Sequence, residues 1–464
     1  MTGRLSLALV LLAAAPAFAQ PAPKPADDMA AFEKDLDALF TKDGLTADGA
    51  ASRAAKASPA VRRKAAELDA ALAQLETAQL SQVPQIGGKA SYTRLSYVKP
   101  FVIPFMGQNF TIPSLQNSYI AQGTIAVPLS DYVVRFPKLV NSAKIGEEAA
   151  RLGERSAEVG AGEDARLAYY EWVRARLQVL IARRQLAQVQ ATLVQEQALA
   201  DVQRISRADL LRVQSQEAEA EQTLDQLQNL SQLREEQLRL LIGASEAEPL
   251  APGEDIRTEV AAAPPQSNLD DLLKQATSKR LEIKGVDLGI AAKEAQRDAE
   301  KANLYPRLSA FGSVDYDRPN QRVFPQVDEF RFTWAAGIQL TWQVNDYLVS
   351  RATEKRLYAE RGELVADRDN LIRGTRIEIL AAGQAVQIAL HSLQTTQKGL
   401  TAAEEGYRVR RELLNAERAT AVELVDAQTD LTRARIAALN ARVDLRVALA
   451  QLTHALGDDI KTAK

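Results

Sequence analysis

The chain has 464 residues, and its 57 basic and 60 acidic residues leave a formal net charge of −3. No run of lysine or arginine forms the basic footprint of a nucleic-acid-binding protein, so nucleic acid is not an expected partner. The chain has no cysteine, which excludes disulfides, thiolate metal ligands and cysteine nucleophiles.

The N-terminus is predicted to be a secretory signal peptide that covers residues 1–19. Arg4 precedes an apolar run from Leu5 to Leu12, and Ala17-Phe18-Ala19 has the small-residue pattern of a cleavage site. A membrane anchor is the weaker alternative, because the apolar run is far shorter than the roughly 20 residues that a spanning helix needs. The mature chain therefore begins with an N-terminal extension over 20–57.

The rest of the chain contains two copies of one unit. Ser206 to Gln214 recurs as Thr420 to Gln428, and each copy ends on a glycine, Gly243 or Gly457. Internal repetition of this kind indicates a symmetric architecture. We assign the first repeat to 58–243, a Pro-rich connector to 244–268, the second repeat to 269–457 and a C-terminal tail to 458–464.

Each repeat opens with a helix and then contains a predicted β-hairpin, at about 84–130 and about 306–345. In the second strand of each hairpin, apolar and polar residues alternate, and this period of two is typical of a strand with one apolar and one polar face. The apolar stripe is predicted to face the membrane and consists of Tyr119, Ile125, Val127 and Leu129 in the first repeat and Phe330, Phe332, Trp334, Ile338, Leu340 and Trp342 in the second.

Two environments are compatible with these apolar faces: helices that pack against an antiparallel sheet, or lipid. Aromatic residues near the strand ends, among them Tyr92 and Tyr347, suit the aromatic girdles of an outer-membrane barrel, so lipid is favoured. Four strands cannot close a barrel, and an open edge in hydrocarbon leaves backbone groups unsatisfied. Several chains must therefore contribute strands: two would give eight, whereas three would give twelve and leave a lumen.

Two long helices are predicted to follow each hairpin, at about 136–203, 206–243, 347–416 and 420–457. These stretches have no proline beyond Pro137, and a proline in a helix interior costs about 3 kcal/mol. The second helix of each pair begins with the spacing of a capping box, Ser206 with Asp209 and Thr420 with Glu423. Leucine and alanine then repeat every seven residues in the last helix, which indicates a coiled-coil seam.

The turns between the long helices carry a family resemblance. Arg204 to Leu211 and Arg418 to Val425 each contain a hydroxyl residue, an acid three residues later and then a hydrophobic pair. With these motifs in one register, nearly the whole mature chain resembles the TolC-like outer-membrane factors of tripartite efflux and type I secretion systems. The resemblance implies an α+β membrane protein with two tandem repeats. Each repeat would contribute a β-hairpin to a trimeric 12-stranded β-barrel and long antiparallel coiled-coil helices to a periplasmic tunnel.

The same resemblance implies a function and its partners. The protein would be a homotrimer in the outer membrane of a Gram-negative bacterium, in contact with outer-membrane lipid, and would extend into the periplasm. It would provide the passive exit duct for a periplasmic adaptor (membrane fusion protein) and an inner-membrane pump. No chemistry takes place in such a duct, and neither a cofactor nor a metal is implied.

The resemblance also implies a gate at the periplasmic tip. Glu423 and Asp426 match positions where acids ring the tunnel mouth in this family, and Asp209 and Arg212 are the equivalent residues of the first repeat. Arg212 in place of a second acid allows an ion pair with Asp426 between the two turns. The alternative is that Glu423 only caps Thr420 and that Asp426 is solvated.

Adaptor docking is expected at the two helix-tip turns, whose residues are Gln203, Arg204, Ser206, Glu417, Arg418 and Thr420. Gln203 and Glu417 stand where this family commonly has glycine. Each turn must therefore form without the freedom of glycine at positive φ.

Two other classes of function are weaker. The only histidines, His391 and His454, lie far apart on predicted helices, and the sequence has neither a metal-ligand set nor a glycine-rich phosphate loop, so an enzyme is not expected. A periplasmic adaptor or coiled-coil scaffold without a pore would also have long helical hairpins. It would not repeat two amphipathic β-hairpins at equivalent points.

Overall fold

The computed structural model describes residues 34–105, 108–112, 114–258, 260, 268–416 and 418–459. The predicted signal peptide, the start of the N-terminal extension, part of the connector, Glu417 and the end of the tail lie outside the described residues. The first half of the chain contains α1 (Ala47–Ala57), α2 (Pro59–Leu80), β1 (Gln85–Arg94), β2 (Phe101–Phe105), β3 (Gln108–Ile112), β4 (Asn117–Val127), α3 (Leu129–Val134), α4 (Phe136–Asp201) and α5 (Arg207–Ile242). The second half contains α6 (Leu269–Lys279), α7 (Leu281–Glu300), a 3-10 helix (Lys301–Leu304), β5 (Arg307–Arg318), β6 (Arg331–Thr341), α8 (Val344–Asn415) and α9 (Ala421–Ala455).

The long helices are rods. Helix α4 has 66 residues and α8 has 72, which corresponds to about 100 Å each at a rise of about 1.5 Å per residue. Helix α5 packs along α4, and α9 packs along both α8 and α4. The seven-residue repeat of α9 is buried throughout, with Leu424, Leu431, Ala438, Leu445 and Leu452 at most 8% exposed. Among the described residues, no helix combines the length and the apolar composition that crossing a membrane requires.

Each pair of long helices ends at a glycine in the left-handed conformation. Gly243 has a φ of 67° and Gly457 a φ of 70°. A Cβ atom on Gly243 would lie 2.7 Å from Cβ of Ala57, and one on Gly457 would lie 3.1 Å from Cβ of Lys279. Ala57 and Lys279 are the last residues of α1 and α6. The two repeats therefore share the same close contact between a short helix and the end of a long one.

Replacement of Gly243 by alanine is expected to lower the free energy of unfolding by about 2 kcal/mol, because alanine is strained at positive φ and its Cβ would displace α1. Denaturant titration of the purified protein measures the loss. Gly362→Ala is the control, since a Cβ there meets nothing within 4 Å in the middle of α8. Equal stability of the two variants would contradict the prediction.

The two hairpins form one antiparallel sheet with the strand order β1-β4-β5-β6. Strands β4 and β5 belong to different repeats and pair from Tyr119 opposite Arg318 to Val127 opposite Ala310. Strands β2 and β3 form a separate two-stranded hairpin between β1 and β4. Strands β1 and β6 are therefore the two edges of the four-stranded sheet.

One residue of the predicted apolar stripe lies elsewhere. Strand β4 ends at Val127, and Leu129 begins the short helix α3. Pro128 stands between them, and proline has no N–H to donate to a further ladder hydrogen bond. The prediction that Leu129 extends the strand is therefore wrong.

The main core lies where α4 meets α1, α5 and the connector. Tyr169 and Trp172 of α4 are fully buried there. Arg446 of α9 holds the connector: its Nε donates to Glu254 Oε1 at 3.3 Å, and its Nη2 donates to the carbonyl oxygen of Thr258 at 3.1 Å. The connector is thus attached to helices of both repeats.

His454, near the end of α9, lies between two carboxylates. Its Nε2 is 3.0 Å from Oε2 of Glu163 on α4, and its Nδ1 is 2.7 Å from Oδ2 of Asp459. Burial acts to lower the pKa of His454, but hydrogen bonds to Asp459 and Glu163 outweigh it and raise the pKa to about 10. A protonated imidazole therefore links the end of the second repeat to α4.

This clamp predicts a pH dependence of stability. The folded pKa of about 10 lies above the ordinary 6.5, so the stabilisation by His454 is fully present below pH 6.5 and is lost as the pH rises towards 10. Over that range, His454→Gln should lose stability less steeply than the wild type, by up to about 1.4 kcal/mol per pH unit. Thermal unfolding at several pH values measures the slope. His391→Gln, an exposed site on α8, should keep the wild-type slope, and equal slopes in all three proteins would refute the prediction.

Candidate functional site

The apolar residues of the four strands lie in register on one face of the sheet. One row runs from Ala90 through Ala121 and Tyr316 to Phe332, and the neighbouring row ends on Val314 and Trp334. The predicted stripe residues Tyr119, Ile125, Val127, Phe332, Trp334, Ile338 and Leu340 all share this face, and Phe330 and Trp342 flank β6 immediately outside the strand.

Nothing in the described part of the chain covers this face. Ile86 is 80% exposed, Ile338 71% and Leu340 68%. A helix packed behind the sheet would have buried these side chains. The helix-backed sheet, which the sequence left open, is therefore excluded for this face.

The opposite face of the sheet is mostly polar. Its side chains include Lys89, Gln122, Asp315 and Thr333 in one row across the four strands, and Gln122 Nε2 donates to Asp315 Oδ1 at 2.6 Å. Phe311 is an aromatic exception that sequence reasoning missed. A Cβ atom on Gly337, its neighbour on β6, would lie 3.0 Å from the Phe311 ring, so the ring covers this glycine. The alternation along β5 was the signal that could have placed Phe311 on the polar face.

An aromatic cluster lies at the end of the sheet that is remote from the long helices. The rings of Tyr92 and Tyr119 are 4.9 Å apart, and those of Tyr316 and Phe330 stack at 5.1 Å. The guanidinium of Arg318 lies 5.9 Å from the Tyr119 ring and 5.8 Å from the Phe330 ring. Tyr316 and Arg318 were not among the predicted site residues, because the first strand of the second hairpin alternates less regularly than β6.

The two helix-tip turns have the same backbone design. The N–H of Arg204 donates to the carbonyl oxygen of Leu199 at 2.9 Å, and the N–H of Arg418 donates to that of Leu413 at 2.8 Å. Gln203 adopts the left-handed conformation, with a φ of 60°. This is the position where TolC-like proteins commonly have glycine. Glu417, the equivalent residue of the second turn, lies outside the described residues.

Both turns are followed by a side-chain cap. Ser206 Oγ accepts from the N–H of Asp209 at 3.1 Å, and Thr420 Oγ1 accepts from the N–H of Glu423 at 3.3 Å. The Ser206 hydroxyl donates in turn to Asp209 Oδ2 at 2.7 Å. Glu423 instead directs its carboxylate to Arg410 of α8, with Oε2 3.2 Å from Nη1. Glu423 therefore has two roles: its backbone N–H is capped by Thr420, and its carboxylate links α9 to α8.

Asp426 links the two turns. Its Oδ2 lies 3.5 Å from Nη2 of Arg212, and its Oδ1 accepts from Gln216 Nε2 at 3.4 Å. The ion pair that the sequence allowed between Arg212 and Asp426 is thus present. Both side chains are more than half exposed, so the pair contributes at most about 1 kcal/mol. An ion pair of this strength restrains the two turns only weakly.

Five of the predicted tip residues line two clefts. Arg204, Ser206, Asp209 and Thr420 line one cleft between the turns, whereas Asp426 borders another cleft farther up the helices. Glu196 of α4 also lines the first cleft and was missed, because nothing in the sequence distinguishes it from other helical glutamates. Burial and then the charge of Asp209 raise its pKa above the ordinary value for glutamate.

Each of the two halves has a hairpin in a shared sheet and a pair of long helices, one of which is about 100 Å long. This arrangement defines the channel-tunnel class of bacterial outer-membrane proteins. The model of the outer membrane efflux protein family matches residues 50–244 and 272–458, which include both repeats. The chain belongs to the outer membrane efflux protein family. The resemblance and the α+β two-repeat fold class predicted from the sequence are confirmed, and the protein's location is the outer membrane of a Gram-negative bacterium.

Solved outer-membrane channels share this fold. CusC is 16% identical, with 90% of this chain and 93% of that chain covered and a TM-score of 0.74. CmeC of Campylobacter jejuni is 12% identical over 100% and 98%, with a TM-score of 0.73. MtrE of Neisseria gonorrhoeae, in its open state, is 16% identical over 90% and 91%, with a TM-score of 0.72. No curated protein matches the chain by sequence. The family and these structures are outer-membrane channels and not enzymes.

Proposed function

We propose that three copies of this chain form the exit duct of a tripartite efflux or type I secretion system. The observation that carries the proposal is the uncovered apolar face of the four-stranded sheet. An apolar face with residues such as Ile338 at 71% exposure needs a lipid environment, and the polar face behind it suits a water-filled lumen.

The edges of the sheet support several chains in one barrel. Strand β1 has 10 residues and β6 has 11, and neither pairs on its outer side among the described strands. In hydrocarbon such edges must pair, so β6 of one copy would join β1 of the next. This head-to-tail contact closes into a ring. Three copies supply twelve strands, which leave an open lumen, whereas eight strands leave an interior that side chains fill.

The long helices also present apolar side chains that a neighbouring copy would cover. On α8, Ile377 is 68% exposed and Ile388 is 69% exposed. On α5, Leu233 is 53% exposed and Leu240 is 74% exposed. Burial of such side chains is worth about 1.5–3 kcal/mol each. Lateral packing of α8 against α5 of the next copy would continue the barrel into a helical tunnel.

The turns are the proposed docking site for a periplasmic adaptor, which would connect the duct to an inner-membrane pump. Gln203, Arg204, Ser206, Arg418 and Thr420 are exposed at the tips. Val202 and Leu211 next to them are 63% and 53% exposed and would provide apolar contacts. Glu423, Asp426, Asp209 and Arg212 would form the gate, where threefold symmetry gathers acids into rings that favour cations.

The proposal is tested with the purified protein in mild detergent. We expect a mass of three chains by light scattering, resistance of the membrane-bound protein to carbonate washing, and cation-selective conductance in planar bilayers. A single chain that is extracted by carbonate and gives no conductance would overturn the proposal in favour of a periplasmic adaptor or scaffold without a pore.

A further inference from the structure

A cavity of about 220 Å³ lies under the connector, where α4, α8 and α9 meet. Three of the long helices contribute side chains to it. Its apolar lining comprises Leu177 and Ile181 from α4, Leu400 from α8, Ala438 and Leu439 from α9, Ile256 from the connector, and Leu36 and Phe40 from the N-terminal extension. Leu177 and Ile256 are at most 2% exposed, so this part of the cavity wall is apolar and buried.

The cavity has a polar mouth. Arg442 of α9 stands there beside Gln397 of α8, which accepts from Arg442 Nη2 at 3.5 Å. This long hydrogen bond is the single polar contact of Arg442 within the described part of the chain. By contrast, Arg257 at the same cavity is neutralised by Asp37 at 2.6 Å and Asp255 at 2.7 Å. Arg435 also lines the cavity and is engaged within the chain, and Glu404 adds a carboxylate on the α8 side. Arg442, whose described contact is with a neutral amide, is therefore the cation that is available to a ligand.

The shape of the cavity follows from the helix geometry. Gln397 and Glu404 both line it from α8 and are seven residues apart, which corresponds to about 10 Å along the helix. Arg442 and Arg435 line it from α9 at the same separation. The cavity is thus a slot with apolar side chains on α4, α8, α9 and the connector, and with polar side chains along the α8 and α9 sides that include the Arg442 cation at its mouth. An amphipathic anion fits this arrangement, with its apolar chain in the slot and its acid group on Arg442.

We propose that this cavity binds a small amphipathic carboxylate. Each methylene group transferred from water into an apolar slot strengthens binding by about fourfold, and the guanidinium supplies paired donors that match a carboxylate. A bound molecule would contact α4, α8 and α9 together and stabilise their packing. In the duct proposed above, on which this step rests, the bound molecule would oppose movement of α8 and α9 relative to α4 in the tunnel wall.

Octanoate is the probe. We expect calorimetric titration of the protein in lipid nanodiscs to show one site per chain, after subtraction of the signal from empty nanodiscs. Hexanoate, which has two methylenes fewer, should bind roughly fifteenfold more weakly. Octylamine, with the same apolar chain and the opposite charge, should show no saturable site.

Two variants decide whether the cavity is the site. Arg442→Gln removes the guanidinium charge and keeps a polar side chain, and it should weaken octanoate binding at least tenfold. Ala438→Leu fills the slot and should abolish binding at every chain length. Arg433→Gln is the matched control, since Arg433 lies on the same helix, is 74% exposed and, among the described residues, forms its ion pair with Asp430 alone.

Unchanged octanoate affinity in both Arg442→Gln and Ala438→Leu, or a signal equal to that of empty nanodiscs, would overturn the proposal. Binding is measured without any conductance. A protein that forms trimeric channels but fails to bind octanoate would refute this inference alone, and the reverse result would refute only the proposed duct.

Discussion

Replacement of Ile338 by arginine is expected to abolish stable insertion of the protein into the outer membrane. Ile338 is 71% exposed on the apolar face of the sheet, where a charge would meet lipid. An arginine on the lipid face of a barrel costs up to about 2–4 kcal/mol near the middle of the bilayer, and a trimer would bear that cost three times. Fractionation should find Ile338→Arg depleted from the outer membrane, degraded or aggregated in the periplasm.

The matched control is the next residue. Gln339 lies on the same strand and on the polar face, opposite Ser309 of β5. Gln339→Arg introduces the same charge at nearly the same depth, but into the proposed lumen, so the protein should insert at wild-type levels with altered conductance. Similar depletion of both variants would show that the strand tolerates no charge on either side and would remove the assignment of faces.

Removal of two acids at the tip is expected to open the duct. Glu423→Ala together with Asp426→Ala deletes the pair with Arg410 at 3.2 Å and the pair with Arg212 at 3.5 Å. These pairs link α9 to α8 and to α5, and each contributes at most about 1 kcal/mol. The double variant should therefore fold, conduct more in planar bilayers than the wild type, and be blocked less strongly by multivalent cations.

The control for the gate removes two acids whose ion pairs, among the residues that the structure describes, stay within one helix. Glu412 pairs with Arg408 within α8, and Asp430 pairs with Arg433 within α9. The double variant Glu412→Ala with Asp430→Ala has the same change of net charge and should keep wild-type conductance and block. If the Glu423 and Asp426 variant behaved like this control, the gate assignment would fail.

The fold class was predictable from the sequence because its signals are local. The period of two in β4 and β6, the seven-residue repeat of α9 and the caps at Ser206 and Thr420 each depend on neighbouring residues. The error at Leu129 was local as well, since Pro128 was not given its weight as a strand terminator.

The charged tip was predictable only in part. The spacing from Thr420 indicated that Glu423 and Asp426 would lie close together, and the two turn motifs allowed Arg212 to meet Asp426. The pairing of Glu423 with Arg410, and the burial of Glu196 beside Asp209, depend on which helix faces meet. Nothing in the spacing of residues along one helix states which side chain of another helix lies opposite.

The amino-acid sequence by itself determined the two repeats, their hairpins and rods, and the membership of a family of outer-membrane channels. The tertiary structure decided that β4 of one repeat pairs with β5 of the other, that Arg446 holds the connector, and that a protonated His454 joins α9 to α4. These contacts join residues that are far apart in the chain. Their partners are selected by the packing of whole helices and strands, which no local pattern of residues records.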